Sequence, residues 1–252
     1  MTAFTLDGAA VPFLDGDTLM SAAVRAGRHI PHLCWHPRLG QSGACRLCTV
    51  RVDGRLAAAC TTRAAAGQVV ENRTPDLDRR RRLLLQMLFV EGNHFCPGCE
   101  KSGECLLQAQ ACAMGMTGPD FEEFHPHRPV DASHPDLWLE TNRCILCKLC
   151  VRASHEVDGK DVFAIGGRGI ATRLIVNSPS GRLADSAFAV DDLAAQVCPV
   201  GAILPKRRGF AVPLGRRRFD LRDAAGAGTA EPLAAAAAVG PSAQGEGADG
   251  PR

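Results

Sequence analysis

Twelve cysteines, several of them three positions apart, are the residues of this 252-residue sequence whose types and spacing could do chemistry. Eleven of them, with one histidine, form three separate groups along the chain. Thiolate and imidazole groups at such spacings are ligands of iron–sulfur clusters and of zinc. Neither a signal peptide nor an apolar stretch long enough to cross a membrane is visible. We therefore expect a cytoplasmic chain whose clustered cysteines bind metal rather than form disulfides.

The first group has two neighbouring cysteines and one remote cysteine on either side, at Cys34, Cys45, Cys48 and Cys60. A [2Fe–2S] cluster takes two thiolates on each iron, and this arrangement can supply them. Gly40 and Gly43 give the loop the freedom to wrap a cluster and to direct backbone N–H groups at sulfur. A structural zinc site with four cysteine ligands is the alternative that the spacing leaves open.

The second group places a histidine shortly before three cysteines, at His94, Cys96, Cys99 and Cys105. These four residues could hold a [4Fe–4S] cluster with one imidazole ligand, or a tetrahedral zinc ion. An ordinary loop histidine is the alternative interpretation of His94. Cys112 follows Cys105 by seven residues, so we expect it on the same helix face, as a buried thiol rather than a ligand.

The third group is the most specific pattern in the chain, because a run of three cysteines precedes a distant Cys-Pro pair. Its members are Cys144, Cys147, Cys150 and Cys198. Two-cluster bacterial ferredoxins use the run C-x2-C-x2-C-x3-C-P, in which the fourth cysteine serves the other cluster. The positions that would hold a second cluster here are occupied by Ser154, Phe188, Asp191 and Ala194. The pattern indicates a module that has kept one [4Fe–4S] cluster, and we expect the four substitutes to lie together.

Short strands and helices are predicted around these ligands. Asp-Gly pairs at 7–8 and 53–54 indicate hairpins on either side of the first ligand loop. Start and stop residues predict three helices, bounded by Asp17 and Gly27, by Thr74-Pro75 and Gly92, and by Glu104 and Gly115. The chain then divides into units at 1–73, 74–116, a linker at 117–136, 137–223 and a disordered tail at 224–252.

Charge does not point to nucleic acid, since 29 basic and 27 acidic residues leave a net charge of +2. The basic residues nevertheless cluster at Arg79–Arg82, Lys206–Arg208 and Arg216–Arg218. These clusters can be solvated helix faces and ends, or surfaces on which partner subunits dock.

The order of the three groups resembles the N-terminal region of the large iron–sulfur subunit of respiratory complex I, and that of iron-only hydrogenases. It also resembles the small iron–sulfur diaphorase subunit of NAD-reducing [NiFe] hydrogenases. Four stretches carry the resemblance: SGACRLCTVRVDG at 42–54, GNHFCPGCEKSGECLLQAQACAMGM at 92–116, ETNRCILCKLCVRAS at 140–154 and CPVGAILPKRRGFAVPLGRRRFD at 198–220. A single residue, Phe95, separates His94 from Cys96, where the complex I subunit normally has three, and this favours the hydrogenase subunit.

The resemblance implies an α+β chain with a β-grasp [2Fe–2S] ferredoxin-like domain, a small helical His/Cys cluster segment and a C-terminal bacterial-ferredoxin-like domain. It implies one [2Fe–2S] and two [4Fe–4S] clusters in a non-catalytic electron-transfer subunit. The implied partners are a flavin-containing NAD(H)-binding diaphorase subunit and the small and large [NiFe] hydrogenase subunits. The equivalent subunit of an NAD-dependent formate dehydrogenase or of a complex I-like enzyme is the alternative. A zinc-stabilised scaffold protein is the alternative from another class.

Overall fold

A mixed five-stranded sheet forms the N-terminal part of the computed structural model, which describes residues 2–124 and 127–220. Its strands are β1 (Ala3–Leu6), β2 (Ala9–Pro12), β3 (Thr49–Val52), β4 (Arg55–Ala58) and β5 (Val69–Glu71). Their spatial order is β2-β1-β5-β3-β4, with β1 and β5 parallel and the other pairs antiparallel. Both predicted hairpins are confirmed, and at each turn the Asp and the Gly adopt the positive φ that such a turn requires. Strand β5 was not predicted from the sequence.

Helix α1 (Leu19–Arg25) packs its apolar side on this sheet, where Leu19 and Met20 are fully buried. Thr18 caps the helix, because its side chain accepts a hydrogen bond from the N–H of Ser21 over 3.1 Å. The prediction that Asp17 is the cap is therefore wrong by one residue. The carboxylate of Asp17 instead pairs with Arg25.

Helix α2 (Pro75–Glu91) connects the sheet to the second ligand group. Thr74 caps it and Gly92 ends it, as predicted. The following helix, α3 (Leu106–Ala113), is shorter than expected, because Cys105 has extended backbone and serves as its N-cap. The solvated-face interpretation is wrong for Arg81, whose side chain is only 2% exposed. Arg79 and Arg80 do lie at the surface.

The C-terminal part combines two small sheets with two helices. A three-stranded sheet has the order β10-β7-β6, and a hairpin pairs β8 with β9. The elements follow in the chain as β6 (Val130–Asp131), β7 (Leu137–Glu140), α4 (Leu149–Glu156), β8 (Phe163–Gly166), β9 (Arg173–Val176), α5 (Leu193–Gln196) and β10 (Ile203–Pro205). The segment predicted as a linker, 117–136, contains the short strand β6, which pairs with β7. A strand of two residues is too short to show a periodic pattern in the sequence.

The four residues that replace the ligands of a second cluster differ in their burial. Phe188 and Ala194 are buried in one apolar cluster together with Ala153, the neighbour of Ser154. Ser154 is 1% exposed, and its hydroxyl accepts a hydrogen bond from the N–H of Val162 over 2.8 Å. Asp191 is exposed at the surface. Three of the four substitutes thus contribute to filling the interior.

The basic segments near the C-terminus make bonds within the chain. Lys206 donates to the carbonyl of Ala132 over 2.6 Å, and Arg207 pairs with Asp136 over 2.9 Å. Arg217 pairs with Asp220 over 2.7 Å and donates to the carbonyl of Ser102. These contacts hold the end of the described chain against the segment before β7 and against the loop of the second ligand group. The predicted disordered tail, 224–252, lies outside the described residues.

No helix within 2–124 and 127–220 has both the length and the apolar character needed to cross a membrane.

Candidate iron–sulfur centres

The first ligand group lies where loops leave the N-terminal sheet. Cys34 lies within the long loop between α1 and β3, Cys45 and Cys48 lie at the end of that loop, and Cys60 follows β4. Cys34, Cys48 and Cys60 are at most 1% exposed, and Cys45 is half-buried. The backbone N–H of Cys45 donates to Sγ of Cys34 over 3.3 Å. A backbone N–H directed at sulfur is the contact expected of a loop that stabilises anionic thiolates.

The four thiols of this group interact with one another. The Cys45 thiol donates to Cys34, which raises the pKa of Cys45 and lowers that of Cys34. The Cys60 thiol lies within reach of both Cys34 and Cys48, so that its pKa is raised while that of Cys48 is lowered. The fold therefore brings together all four residues that the sequence grouped.

The second group is formed by the loop between α2 and α3. Cys96 starts the tight 3-10 turn Cys96–Gly98, and Cys99 and Cys105 are buried. Burial raises the pKa of the Cys105 thiol to about 12, and the charges of Cys96 and Cys99 act in the same direction. Burial also raises the pKa of Cys96. The three cysteines of the second group therefore lie close to one another.

The fourth member of this group is not settled by proximity. The ring of His94 stands edge-on to Phe89, with centroids 5.4 Å apart, and it lies over Gly92. Cys112 raises the pKa of Cys96, so its thiol also lies near this group. Cys112 is exposed, and the prediction of a buried thiol is wrong. Cys105 is the N-cap residue of α3, and Cys112 lies in the last turn of the same helix.

The third group lines one small apolar cavity. Two non-glycine residues of this short loop adopt the left-handed backbone conformation, Leu146 with φ of 53° and Lys148 with φ of 65°. These two conformations bring the cysteines of the loop to one side. All four cysteines, Cys144, Cys147, Cys150 and Cys198, line the cavity. Apart from Lys148, its other lining residues are apolar: Ile145, Leu146, Ile165, Leu174, Val200, Ala202 and Ile203. Burial raises the pKa of Cys144 to about 11 and raises the pKa values of Cys147 and Cys150 as well.

The first and third groups adjoin each other. Cys34, Cys147 and Cys150 belong to the same apolar core, and the charge of Cys34 raises the pKa of Cys147. Arg152, on α4, holds the first ligand loop by donating to the carbonyls of Leu39 and Gln41.

The second and third groups also adjoin. The N–H of Leu106 donates to the carbonyl of Pro199, the residue after Cys198, over 2.8 Å. A Cβ at Gly201 would stand 2.9 Å from Sγ of Cys99, so only glycine allows this approach without displacement. The third group therefore lies beside both of the others.

Two charged residues near the ligands were missed by sequence reasoning. Arg81 donates to the carbonyls of Leu47 and Thr49, on either side of Cys48, over 3.2 and 2.8 Å. Arg143, next to Cys144, pairs with Glu100, next to Cys99, over 2.9 Å. No local pattern distinguishes these arginines from their exposed neighbours, because Leu47 lies 34 residues from Arg81 and Glu100 lies 43 residues from Arg143.

The donor sets fit iron–sulfur clusters. Each group offers cysteines with little water access, and the cavity of the third group presents four thiols in apolar walls, as a cubane requires. Thiols whose pKa is raised by burial bind metal as thiolates, and coordination then offsets the cost of the buried charge. Among the described residues, no three His, Cys, Asp or Glu side chains are placed to hold a single metal ion.

Three family models match the chain in the same order as the ligand groups. A 2Fe-2S iron-sulfur cluster binding domain matches residues 1–75. The NADH-ubiquinone oxidoreductase-G iron-sulfur binding region matches residues 81–119. A 4Fe-4S single cluster domain matches residues 137–204. The α+β fold with an N-terminal 2Fe-2S domain and a C-terminal 4Fe-4S ferredoxin-like domain is thereby confirmed.

The gamma chain of the NAD-reducing hydrogenase HoxS from Cupriavidus necator is 38% identical over 219 residues, covering 86% of this chain and 93% of that protein. The chain belongs to this family. A chain in a crystal structure of an NAD+-reducing [NiFe]-hydrogenase in the H2-reduced state superposes with a TM-score of 0.84. It is 58% identical, and the match covers 87% of this chain and 93% of that one. The expected family of hydrogenase iron–sulfur subunits is confirmed.

Some similar proteins are much longer, and this chain matches only a fraction of their length. One NADH-quinone oxidoreductase subunit, from Streptomyces coelicolor, is 34% identical over 88% of this chain but only 26% of that protein. The alpha chain of the NADPH-Fe(3+) oxidoreductase from Geobacter sulfurreducens is 31% identical over 82% of this chain and 24% of that protein. This chain therefore spans about a quarter of those two proteins.

Proposed function

We propose that this homologue of the hydrogenase gamma chain holds three clusters on twelve ligands. One [2Fe–2S] cluster is held by Cys34, Cys45, Cys48 and Cys60. One [4Fe–4S] cluster is held by His94, Cys96, Cys99 and Cys105. A second [4Fe–4S] cluster is held by Cys144, Cys147, Cys150 and Cys198. When bound, these clusters supply one-electron transfer.

A single apolar cluster that touches all three ligand groups carries this proposal. It is built around Leu33, Leu47 and Leu107, and it contacts at least one cysteine of each group: Cys45, Cys105, Cys144 and Cys198. Three centres packed on one such cluster lie near one another, and its apolar side chains exclude water from between them. An electron relay through the chain needs that arrangement, and a scaffold protein does not.

Residues of the chain set the path of the relay. The third group adjoins both others, so it forms the middle step between the first and second groups. Backbone N–H groups such as that of Cys45 stabilise negative charge at sulfur. Arg81 and Arg143 place positive charge beside the first group and between the other two.

The proposed role is electron relay between a flavin-containing NAD(H)-binding diaphorase subunit and the small and large subunits of a [NiFe] hydrogenase, in the cytoplasm. The names of the similar proteins, an NAD-reducing hydrogenase subunit and a chain of an NAD+-reducing [NiFe]-hydrogenase, support these partners. We also propose the divisions 1–73, 74–116 and 137–223, in agreement with family matches at 1–75, 81–119 and 137–204.

Iron content tests the cluster assignment. Anaerobically purified chain should carry about ten irons, from one two-iron and two four-iron clusters. Near-stoichiometric zinc with little iron would contradict the assignment and favour a scaffold protein.

Co-purification tests the partners. The complex isolated anaerobically through this chain should reduce NAD+ with H2, and Cys147→Ser should abolish that transfer while both end reactions continue with artificial electron carriers. Reduction of NAD+ with formate but not with H2 would instead identify the formate dehydrogenase alternative.

A further inference from the structure

A cavity of about 390 Å³ lies against the N-terminal half of α2, and no cysteine lines it. Its walls are the loop after α1, the segment before α2, the first two turns of α2 and the end of α3. The proposed electron relay makes no use of this cavity.

The cavity carries strong positive charge. Its lining includes Arg73, Arg79, Arg81 and Arg82 against one acid, Asp78, which leaves an excess of three positive charges. Asp78 is paired with Arg81 over 3.3 Å, and Arg79 is paired over 3.2 Å with Asp76, which does not line the cavity. In the part of the chain that the structure describes, Arg73 and Arg82 make no ion pair, so their charges are the ones left for a ligand. Like charges at this density repel one another, and an anion between them would relieve that repulsion.

A buried amide gives a second, independent indication of a ligand. Gln110, at the α3 side of the cavity, is 1% exposed. Within the described residues, neither its amide nitrogen nor its amide oxygen has a hydrogen-bond partner. An unpartnered buried polar group is costly, and native proteins usually give such a group water or a ligand.

We propose that this cavity binds a small multivalent oxyanion, a phosphate compound or a polycarboxylate, through Arg73, Arg79 and Arg82. Arginine forks match the geometry of phosphate and carboxylate oxygens and bind them in bidentate fashion. Gln110 supplies a neutral donor at the inner wall.

The occupied site would act on the first cluster. Arg81 lines the cavity and also donates to the carbonyls of Leu47 and Thr49, which flank Cys48. An anion beside Arg81 would counter its positive charge and lower the reduction potential of the [2Fe–2S] cluster. This consequence rests on the proposed function, whereas binding itself does not.

Calorimetric titration of the cluster-loaded full chain with pyrophosphate and, in parallel, with citrate tests the site. We expect saturable one-to-one binding, and tighter binding of one probe identifies the source of the oxyanion. Arg82→Gln should weaken binding about tenfold or more, as the loss of one charge-assisted hydrogen bond does. Arg80→Gln is the matched control, because Arg80 is a neighbour on the same helix and does not line the cavity; it should bind as the unchanged chain does.

Gln110→Met separates a ligand contact from a structural role. Removal of an unpartnered polar group should leave the unliganded chain as stable as before, or more stable, and weaken binding. A less stable chain with unchanged binding would overturn the proposal.

Three further results would also overturn it. They are no binding of either probe, equal losses in R82Q and R80Q, and binding to the isolated chain that disappears in the assembled complex. The last result would mean that an acidic segment of a partner fills the cavity. Binding without a shift of the [2Fe–2S] potential would overturn only the coupling to the cluster.

Discussion

The guanidinium of Arg143 lies 2.9 Å from the carboxylate of Glu100 and joins the ligand loop of the third group to that of the second. Both residues are sequence neighbours of proposed ligands, since Arg143 adjoins Cys144 and Glu100 adjoins Cys99. Arg143 also lies over the ring of Trp138, 5.8 Å from its centroid. The ion pair therefore couples the placement of one ligand loop to that of the other.

Arg143→Met should destabilise the chain and change one cluster more than the others. Loss of a partly buried charged hydrogen bond costs about 1–2 kcal/mol of unfolding free energy. The positive charge of Arg143 opposes the rise that burial causes in the pKa of Cys96, so its removal should also lower the reduction potential of the second cluster. Denaturant unfolding and a redox titration followed by EPR measure the two effects. Arg207→Met, which breaks an exposed pair, is the control and should change neither.

Gly201→Ala should make the second cluster labile. The new Cβ would stand 2.9 Å from Sγ of Cys99 and 3.2 Å from Cβ of Lys101, so the ligand must move. We expect iron to fall by about four atoms per chain while the [2Fe–2S] signal persists. Gly118→Ala serves as the control, because a Cβ there meets nothing within 4 Å. Full iron content in the Gly201 variant would show that the two loops separate easily.

Charge at Arg81 should set the potential of the first cluster. Asp78→Asn removes the negative partner of Arg81, so we expect a higher [2Fe–2S] potential with little loss of stability. Arg81→Met should lower that potential and cost about 3 kcal/mol or more, because it leaves buried carbonyls without a donor. EPR-monitored titration of both variants beside Arg80→Met is the measurement. Shifts of the same sign in the Asp78 and Arg81 variants would contradict an electrostatic origin.

His94 and Cys112 compete for the fourth position of the second group. If His94 is the ligand, His94→Cys should retain a four-iron cluster but lower its potential, because thiolate adds negative charge. His94→Ala should make that cluster labile, and Cys112→Ser should leave its spectrum and potential unchanged. A cluster spectrum that is unchanged in both His94 variants but altered in the Cys112 variant would identify Cys112 as the fourth ligand.

Ser154→Ala should destabilise the C-terminal part without affecting iron. The Ser154 hydroxyl is the acceptor for the buried N–H of Val162, and the loss of that acceptor costs about 1–3 kcal/mol. Thermal unfolding checks the cost and iron analysis checks the content. Ser180→Ala, on an exposed turn, is the control. Loss of iron from the Ser154 variant would contradict the interpretation that Ser154 stands where the ligand of an absent cluster would be.

Cysteine spacing by itself predicted three groups of candidate ligands and their order along the chain. Ligands of one centre lie mostly within short loops, and loop length limits which sulfur atoms can meet. The hairpin turns and the start of α2 were equally predictable, because Asp-Gly and Thr-Pro set backbone conformation through local sterics and capping. The family of the chain followed from these same stretches.

Tertiary structure alone decided which residues surround the ligands. Arg81 is buried because the carbonyls of Leu47 and Thr49, which are distant in sequence, accept its hydrogen bonds. Arg80 lies on the same helix and has neither of these partners. Cys112 is exposed in the last turn of α3 although its neighbour Ala111 is buried, because packing against the rest of the chain decides which side of a helix is covered. The contact between Gly201 and Cys99 depends on the mutual placement of two loops about 100 residues apart. No local pattern encodes such distances, since they arise only when separate apolar surfaces pack together.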